Sequence, residues 1–183
     1  MSVLNIEESV LIIIDIQEKL VNAAFNGQAL KKRASVLAKA ANILNIPTII
    51  TEQYPTGLGL TINEIKDTLN TNNSNYFEKI EFNAFSNVTL LNELKAKNRK
   101  QIILAGIETH ICVRQTANEL LKAGFDVSLA KDCCGSRSED EHIAGLNIMK
   151  QEGCYIKTTE MILFELLKTA KHPNFKEIQA FIK

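Results

Sequence analysis

The sequence has no surplus of charge of either sign, since 21 Lys and Arg residues balance 21 Asp and Glu residues. Surfaces that bind nucleic acid or anionic membranes need clustered basic side chains. The densest basic run, KKR at 31–33, is better explained as the exposed face of a helix. We therefore predict neither a nucleic-acid partner nor binding to a membrane surface.

Long hydrophobic runs are also lacking. The strongest run, VLIIID at 10–15, is too short to cross a bilayer, and no signal-peptide pattern accompanies it. We expect an intracellular, cytoplasmic protein whose thiols stay free. No CxxC pair or Cys/His grouping has the spacing of a zinc site, and we predict no cofactor. The four cysteines are Cys112, Cys133, Cys134 and Cys154.

Short β-branched runs alternate with longer segments of helical periodicity along the chain. The first four strong runs are almost continuously apolar, which is typical of parallel strands covered on both faces. This alternation predicts an α/β protein with a mostly parallel sheet, built as a single domain over residues 1–183. Strands are predicted at 10–15, 46–51, 101–106, 126–130 and 154–158, with a weaker one at 75–80; helices are predicted at 27–45, 87–97, 110–123, 138–152, 159–169 and 173–182.

Reactive residue types are predicted where these strands end, and open α/β sheets bind ligands at that edge. Asp15 ends the first strand, Lys79 lies at the end of the weak strand, and Cys112 follows the 101–106 strand near a helix start. Residues 52–55 and Asp132 are predicted at the same edge. A carboxylate can accept the thiol proton, a cation stabilises the thiolate, and a free backbone N–H binds an oxyanion.

Each of these residues also has a structural interpretation. A cysteine on an apolar helix face is usually inert core, and spacing alone favours that interpretation for Cys112. An aspartate that closes a strand is often a turn residue, and the single lysine in FEKIEF is typical of a solvated side chain. The charge of Asp15 directly after four apolar residues is harder to explain in this way, because a buried charge needs compensation.

Five segments in order resemble the isochorismatase-like cysteine hydrolase superfamily: IIIDIQEKL, TEQYPTGLG, FEKIEFNAF, GIETHICVRQTA and CCGSRSED. The loop TEQYPTGLG, the SRS at 136–138 and the tail HPNFKEIQAFIK look closest to the isochorismatase domain-containing proteins. The resemblance implies a three-layer α/β/α Rossmann-like fold with a six-stranded parallel sheet in the order 3-2-1-4-5-6. It also implies a homo-oligomer that acts on a small molecule.

The same resemblance implies a catalytic triad of Asp15, Lys79 and Cys112. It implies a cis peptide between Ile107 and Glu108, and an oxyanion hole made by the backbone N–H groups of Glu108 and Cys112. The implied reaction is hydrolysis of a non-peptide C–N bond in an amide-like molecule through a Cys112 thioester. Gln17, Glu52, Gln53, Tyr54, Phe82 and Phe85 are candidates for lining the pocket. Loop structure is the alternative for Glu52, Gln53 and Tyr54, and core packing is the alternative for Phe82 and Phe85.

Two departures from the superfamily pattern narrow the activity. Nicotinamidases carry an Asp-x-His metal motif after the second strand, whereas TEQYPTGLG contains no histidine, so we predict no catalytic metal. Isochorismatases proper cleave a vinyl ether without a nucleophilic cysteine, so Cys112 argues against that reaction. Arg137 is a candidate to bind a substrate carboxylate or phosphate, with a surface salt bridge as the alternative.

Two other classes of function remain open from the sequence. A non-catalytic member would use the same pocket to bind a metabolite or a protein partner. A redox sensor would use the Cys112 thiol or the adjacent Cys133 and Cys134.

Overall fold

The apolar runs of the chain pair into one sheet in the computed structural model, which describes residues 3–70 and 72–182. All the strand pairs are parallel, in the order β3-β2-β1-β4-β5-β6, which confirms the predicted fold and strand order. The strands are β1 (Ser9–Ile14), β2 (Thr48–Gln53), β3 (Ser74–Lys79), β4 (Gln101–Ile107), β5 (Asp126–Gly135) and β6 (Tyr155–Lys157).

Helices of very different lengths connect these strands. They are α1 (Glu18–Ala23), α2 (Gly27–Ile43), α3 (Pro55–Leu58), α4 (Asn63–Lys66), α5 (Val88–Ala96), α6 (Arg114–Lys122), α7 (Glu139–Glu152), α8 (Thr159–Leu167) and α9 (Phe175–Ala180). A π-helical turn, Thr109–Val113, precedes α6. Within the described ranges, no helix is long and apolar enough to cross a membrane.

The strand side chains alternate between two hydrophobic layers, one on each face of the sheet. Leu11 and Ile13 of β1 pack into the layer that contains α2 and α8, while Ile12 and Ile14 pack into the layer that contains α6. Every residue of β1 and β4 is buried, as expected for central strands of a parallel sheet. The candidate site lies at the carboxyl ends of these two buried strands.

Three sequence-based boundaries are wrong. β5 continues to Gly135, so Asp132 lies inside the strand, where its carboxylate accepts hydrogen bonds from the backbone N–H and hydroxyl of Thr159. The loop TEQYPTGLG contains the short helix α3, and the helix predicted over 110–123 divides into the π-helical turn and α6. Short elements such as α1, α3 and α4 carry too few residues for a helical period to show.

Two helix ends carry residues that suit those positions. Ser138 is the N-cap of α7, and its hydroxyl accepts a hydrogen bond from the Glu141 N–H (3.3 Å). Gly124 follows the last turn of α6 with φ of 84°, a left-handed conformation that favours glycine.

Candidate active site

The strand order places β1 between β2 and β4. The connections to the strands on the two sides of β1 therefore run in opposite directions along the sheet, which leaves a crevice at the carboxyl end of β1. Crevices of this kind are the usual ligand sites of open α/β sheets. The two central strands approach closely there, because Gly106 of β4 lies opposite Ile14. A Cβ atom on Gly106 would lie 2.3 Å from the Ile14 carbonyl oxygen. Asp15 is the residue that follows this contact.

Asp15 is fully buried at the end of β1. Its backbone is left-handed, with φ of 51°, and its N–H donates to the Thr51 carbonyl oxygen (3.1 Å). The Thr51 hydroxyl donates to Oδ1 of Asp15 (2.7 Å). The neighbouring strand β2 therefore holds both the backbone and the carboxylate of Asp15.

Lys79 brings its ammonium group to the other oxygen of this carboxylate. Its Nζ lies 2.5 Å from Oδ2 of Asp15, and the two side chains are 1% and 0% exposed. Nζ also donates to Oε1 of Gln53 (2.6 Å) and to the Glu81 carbonyl oxygen (3.2 Å). The solvated interpretation of Lys79 is therefore wrong, because the side chain turns inward from an edge strand to reach a buried partner.

Cys112 lies within the π-helical turn and is 7% exposed. Its side chain hydrogen-bonds to the carboxyl group of Asp15, and its sulfur accepts a hydrogen bond from the backbone N–H of Glu108. The peptide between Ile107 and Glu108 is cis, as the sequence resemblance implies. The structure thus brings Asp15, Lys79 and Cys112 together.

Burial dominates the electrostatics of this group. It raises the pKa of the Asp15 carboxyl above its ordinary value, against the opposing effects of Lys79, Thr51 and Cys112. Burial likewise raises the pKa of the Cys112 thiol to about 12, with Lys79 lowering it and Asp15 raising it. The resting sulfur is therefore a thiol, and the carboxylate beside it is a base made stronger by burial.

The turn that carries Cys112 is fixed against α7. Gly145 of α7 allows close packing, since a Cβ atom there would lie 3.0 Å from the backbone N and Cα of His110. The Thr109 hydroxyl lies 2.9 Å from Nδ1 of His142, whose pKa is lowered by burial. His110 turns away from Cys112, and its Nδ1 lies 3.0 Å from the Ser136 hydroxyl.

A cleft of about 300 Å³ opens beside the cis peptide and the turn. Its walls are mostly apolar, and Phe82 (56% exposed) stands at its rim. Arg137 also lines the cleft and donates from Nε to the Glu108 carboxylate (2.9 Å). The salt bridge that the sequence offered as the alternative for Arg137 is therefore present, at the mouth of the cleft.

The other pocket candidates are placed elsewhere. Gln17 is fully buried, and its amide is used on backbone groups of the β2 end and Gly59 rather than in the cleft. Phe85 packs against the hydrophobic layer that contains Cys112. Tyr54 is 54% exposed and lines a second, shallower depression with Lys79. Among these candidates, Phe82 alone lines the cleft beside the cis peptide.

The remaining cysteines provide a comparison for Cys112, because they are buried thiols outside the candidate site. Cys133 and Cys134 are completely buried, and Cys154 is 4% exposed; all are free thiols. Burial raises the pKa of Cys134 and of Cys154 to about 12, and raises that of Cys133. Cys112 differs from them in its hydrogen bond to Asp15 and in the nearby charge of Lys79.

Side chains near the site that could ligate a metal ion have other hydrogen-bond partners. Glu52, near the end of β2, accepts a hydrogen bond from the Thr61 N–H (2.7 Å). His110 and His142 contact hydroxyl groups, as described above. In residues 3–70 and 72–182, no cluster of three or more His, Cys, Asp or Glu residues is arranged to hold a metal ion. The chain's own donors therefore do not fit the metal site of nicotinamidases.

Sequence reasoning missed Thr51, and it considered Gln53 only as a residue that could line the pocket, not as a support for Lys79. Both belong to the TEQ segment that ends β2, and Gln53 pairs in register with Lys79. The pairing of β2 with β3 was the signal that could have found Gln53, but it requires knowing the strand order.

Comparisons with known proteins agree with the geometry. The Isochorismatase domain model matches residues 9–161. Isochorismatase family protein 1A of Dictyostelium discoideum is 40% identical over 173 residues, which cover 93% of this chain and 84% of that protein. Isochorismatase domain-containing protein 2 of Danio rerio is 37% identical over 180 residues, covering 98% and 89%.

A solved structure of MAR1 ribonuclease from Caenorhabditis elegans is 36% identical and superposes with a TM-score of 0.93, over 99% of this chain and 92% of that one. YcaC from Pseudomonas aeruginosa, solved with hexane-2,5-diol and covalent acrylamide, is 25% identical with a TM-score of 0.91, over 97% and 90%. The matched domain, the relatives and the sheet topology together show that this chain belongs to the isochorismatase family and has its hydrolase fold.

Proposed function

We propose that this chain is a metal-independent cysteine hydrolase, a single catalytic domain that cleaves a non-peptide C–N bond in a small amide-like molecule. The observation that carries the proposal is the buried contact of Lys79 with Asp15 (2.5 Å) and of Asp15 with the Cys112 thiol. A buried thiol, base and cation in contact match the requirements of covalent catalysis.

In the first half of the reaction, Asp15 accepts the Cys112 proton while the sulfur attacks the substrate carbonyl carbon. The new S–C bond leaves an oxyanion, which the backbone N–H groups of Glu108 and Cys112 stabilise. Support for this role comes from the Glu108 backbone, whose hydrogen bond lowers the pKa of the Cys112 thiol against the effect of burial. The C–N bond then breaks as Asp15 returns its proton to the leaving nitrogen, and a thioester remains.

In the second half, water attacks the thioester carbon and Asp15 accepts a proton from that water. The S–C bond breaks, the sulfur regains the proton from Asp15, and the carboxylic acid leaves. The ammonium group of Lys79 balances the charge of the carboxylate when the proton is on the sulfur, and the charge of the thiolate when the proton is on Asp15. The net reaction consumes one water and one amide.

The size and walls of the cleft limit the substrate. A volume of about 300 Å³ lies at the lower end of the range for small-molecule sites. Its walls are mostly apolar side chains, with Phe82 at the rim and Arg137 at the mouth. We therefore expect a small amide with a short apolar body. The relative from Pseudomonas aeruginosa, which holds covalent acrylamide, accepts a molecule of this kind.

A panel of small amides tests the proposal by intact-mass measurement. We expect an acyl adduct on the wild-type protein, consumption of the amide, and loss of both in Cys112→Ala. Cys154→Ala is the matched control, since it removes another buried thiol and should keep the adduct. If no amide is consumed or bound by the wild type, the hydrolase proposal loses its main support.

The name of the Caenorhabditis elegans relative favours a second candidate, RNA cleavage. A phosphodiester has no acyl carbon, so it cannot form the thioester, and the chain carries no net positive charge to bind a polyanion. We expect RNA to stay intact with the wild-type protein. RNA that is shortened by the wild type and spared by Asp15→Asn would instead assign a nuclease.

The other interpretations from the sequence lead to different results in the same assays. A binding protein would retain small amides without consuming them, and a redox sensor would form a disulfide or sulfenate under mild oxidant. The complete burial of Cys133 and Cys134 argues against the redox role for that pair. A homo-oligomer and a cytoplasmic setting stay predictions; the four free thiols support the latter.

A further inference from the structure

The ammonium group of Lys79 has three hydrogen-bond acceptors. They are Oδ2 of Asp15 (2.5 Å), Oε1 of Gln53 (2.6 Å) and the carbonyl oxygen of Glu81 (3.2 Å). An ammonium has three N–H donors, and a buried one is stable only when all three are used. Gln53 therefore supplies the neutral side-chain acceptor that completes this set.

The amide of Gln53 is itself held in one orientation. Its Nε2 donates to the Ile80 carbonyl oxygen (2.6 Å), which leaves Oε1 facing the ammonium group of Lys79. Its backbone N–H donates to Oε1 of the fully buried Gln17 (2.8 Å). The register of β2 with β3 places Gln53 directly opposite Lys79. Bonds from both sides therefore leave Gln53 little freedom to turn away.

We propose that Gln53 is a positioning residue of the hydrolase, acting through Lys79, and this inference rests on the proposed function. It holds the ammonium group against Asp15 and beside Cys112, and because it is neutral it does not cancel the positive charge. A carboxylate at the same place would keep the hydrogen bond and divide the charge between two anions. The thiolate would then lose part of its stabilisation.

The charged groups that act on the Cys112 thiol are Lys79, from the end of β3, and Asp15, from the end of β1. The carboxylate of Glu108, next to the turn, is bound to Arg137. A charge change at Gln53 therefore reaches the sulfur through Lys79. This makes the reactivity of Cys112 a direct readout of the position and charge of the ammonium group.

The test is the rate at which iodoacetamide modifies Cys112, followed by peptide mass from pH 7 to pH 10. We expect the isosteric variant Gln53→Glu to lower this rate about tenfold at each pH. Gln53→Met, which removes the acceptor without adding charge, should lower it about threefold. Cys154 in the same samples is the internal control, and its rate should not change.

Gln151→Glu is the matched charge control, because Gln151 is exposed near the end of α7. It should leave the Cys112 rate within twofold of the wild type. Equal Cys112 rates in the wild type and Gln53→Glu, with equal melting temperatures, would overturn the inference even if the wild type hydrolyses amides. A wild type that forms no acyl adduct would instead overturn the proposed function, independently of the Gln53 result.

Discussion

Asp15, Lys79 and Cys112 gain their chemistry from burial and mutual contact. An exposed lysine and aspartate at 2.5 Å would contribute little, because water screens surface ion pairs. In the dry interior each charge depends on the other, and removing one partner leaves an uncompensated buried charge. The same burial keeps the Cys112 thiol protonated at rest, with a pKa of about 12. A permanently ionised, fast-reacting sulfur is therefore not expected. In the proposed mechanism, proton transfer to Asp15 accompanies the attack of the sulfur.

Alkylation of Cys112 tests this residue-level account. Because the pKa of the thiol lies near 12, the thiolate fraction and the iodoacetamide rate should rise close to tenfold per pH unit from pH 7 to pH 10. Lys79→Met removes the cation that lowers this pKa, so the rate should fall about tenfold at each pH.

Lys157→Met is the matched control for this variant. Lys157 is also buried (7% exposed) and its Nζ lies 2.6 Å from Oε2 of Glu165, but it belongs to β6. The control should leave the Cys112 rate unchanged. A Cys112 alkylation rate that reaches a plateau below pH 9, or that is unchanged in Lys79→Met, would contradict the role assigned to Lys79.

The elements that matter most for the site are the ends of β1 and β4 and the π-helical turn. Gly106 lets β4 approach β1 next to Asp15. Gly145 lets α7 pack closely against the turn that carries Cys112. π-helical turns are rare and occur often at functional sites. The geometry of the candidate site therefore depends on close backbone packing at two glycines.

Gly106→Ala should destabilise the protein strongly. The added Cβ would lie 2.3 Å from a backbone oxygen and 2.6 Å from Cβ of Ile14, so the central strands must move apart. We expect a loss of about 3 kcal/mol in the free energy of unfolding, measured in urea. Gly124→Ala is the control, because its φ is 84° but no atom lies within 4 Å of the new Cβ.

The control should cost about 1 kcal/mol, the penalty of a left-handed conformation without a clash. Equal losses for the two glycine variants would show that β1 and β4 tolerate separation at this point. Cys112 alkylation measured on Gly106→Ala in native buffer would then reveal whether the site keeps its geometry.

At the scale of the whole molecule, one sheet supports both hydrophobic layers. β1 sends Leu11 and Ile13 to one layer and Ile12 and Ile14 to the other, so neither layer can form without it. The site lies at the carboxyl edge of the same sheet. Its three central residues come from positions 15, 79 and 112, far apart in the chain and joined only when the sheet is complete.

We therefore expect the chain to unfold in one cooperative transition. Far-UV circular dichroism and loss of Cys112 protection from iodoacetamide should give the same urea midpoint. The reason is that the secondary structure and the site depend on the same central strands. Two separated midpoints would contradict a single domain.

Much of the fold of this protein can be predicted from local patterns in its sequence. Continuous apolar runs and helical periods predict the parallel sheet and its long helices, because buried strands and amphipathic helices have fixed periods. The ordered motifs indicate the family and the candidate triad. The weak strand at 75–80 forms as predicted, since pairing with β2 compensates for its modest apolar content.

Tertiary structure decided what those residues can do. Whether Lys79 is solvated or buried, whether Gln17 faces a pocket or backbone, and whether Gln53 matters at all depend on neighbours that lie far away in sequence. The π-helical turn likewise arises from packing against α7 and β4, and no periodic pattern in the local sequence predicts it. Charge, burial and hydrogen-bond partners are properties of the assembled sheet edge, and a one-dimensional pattern does not contain them.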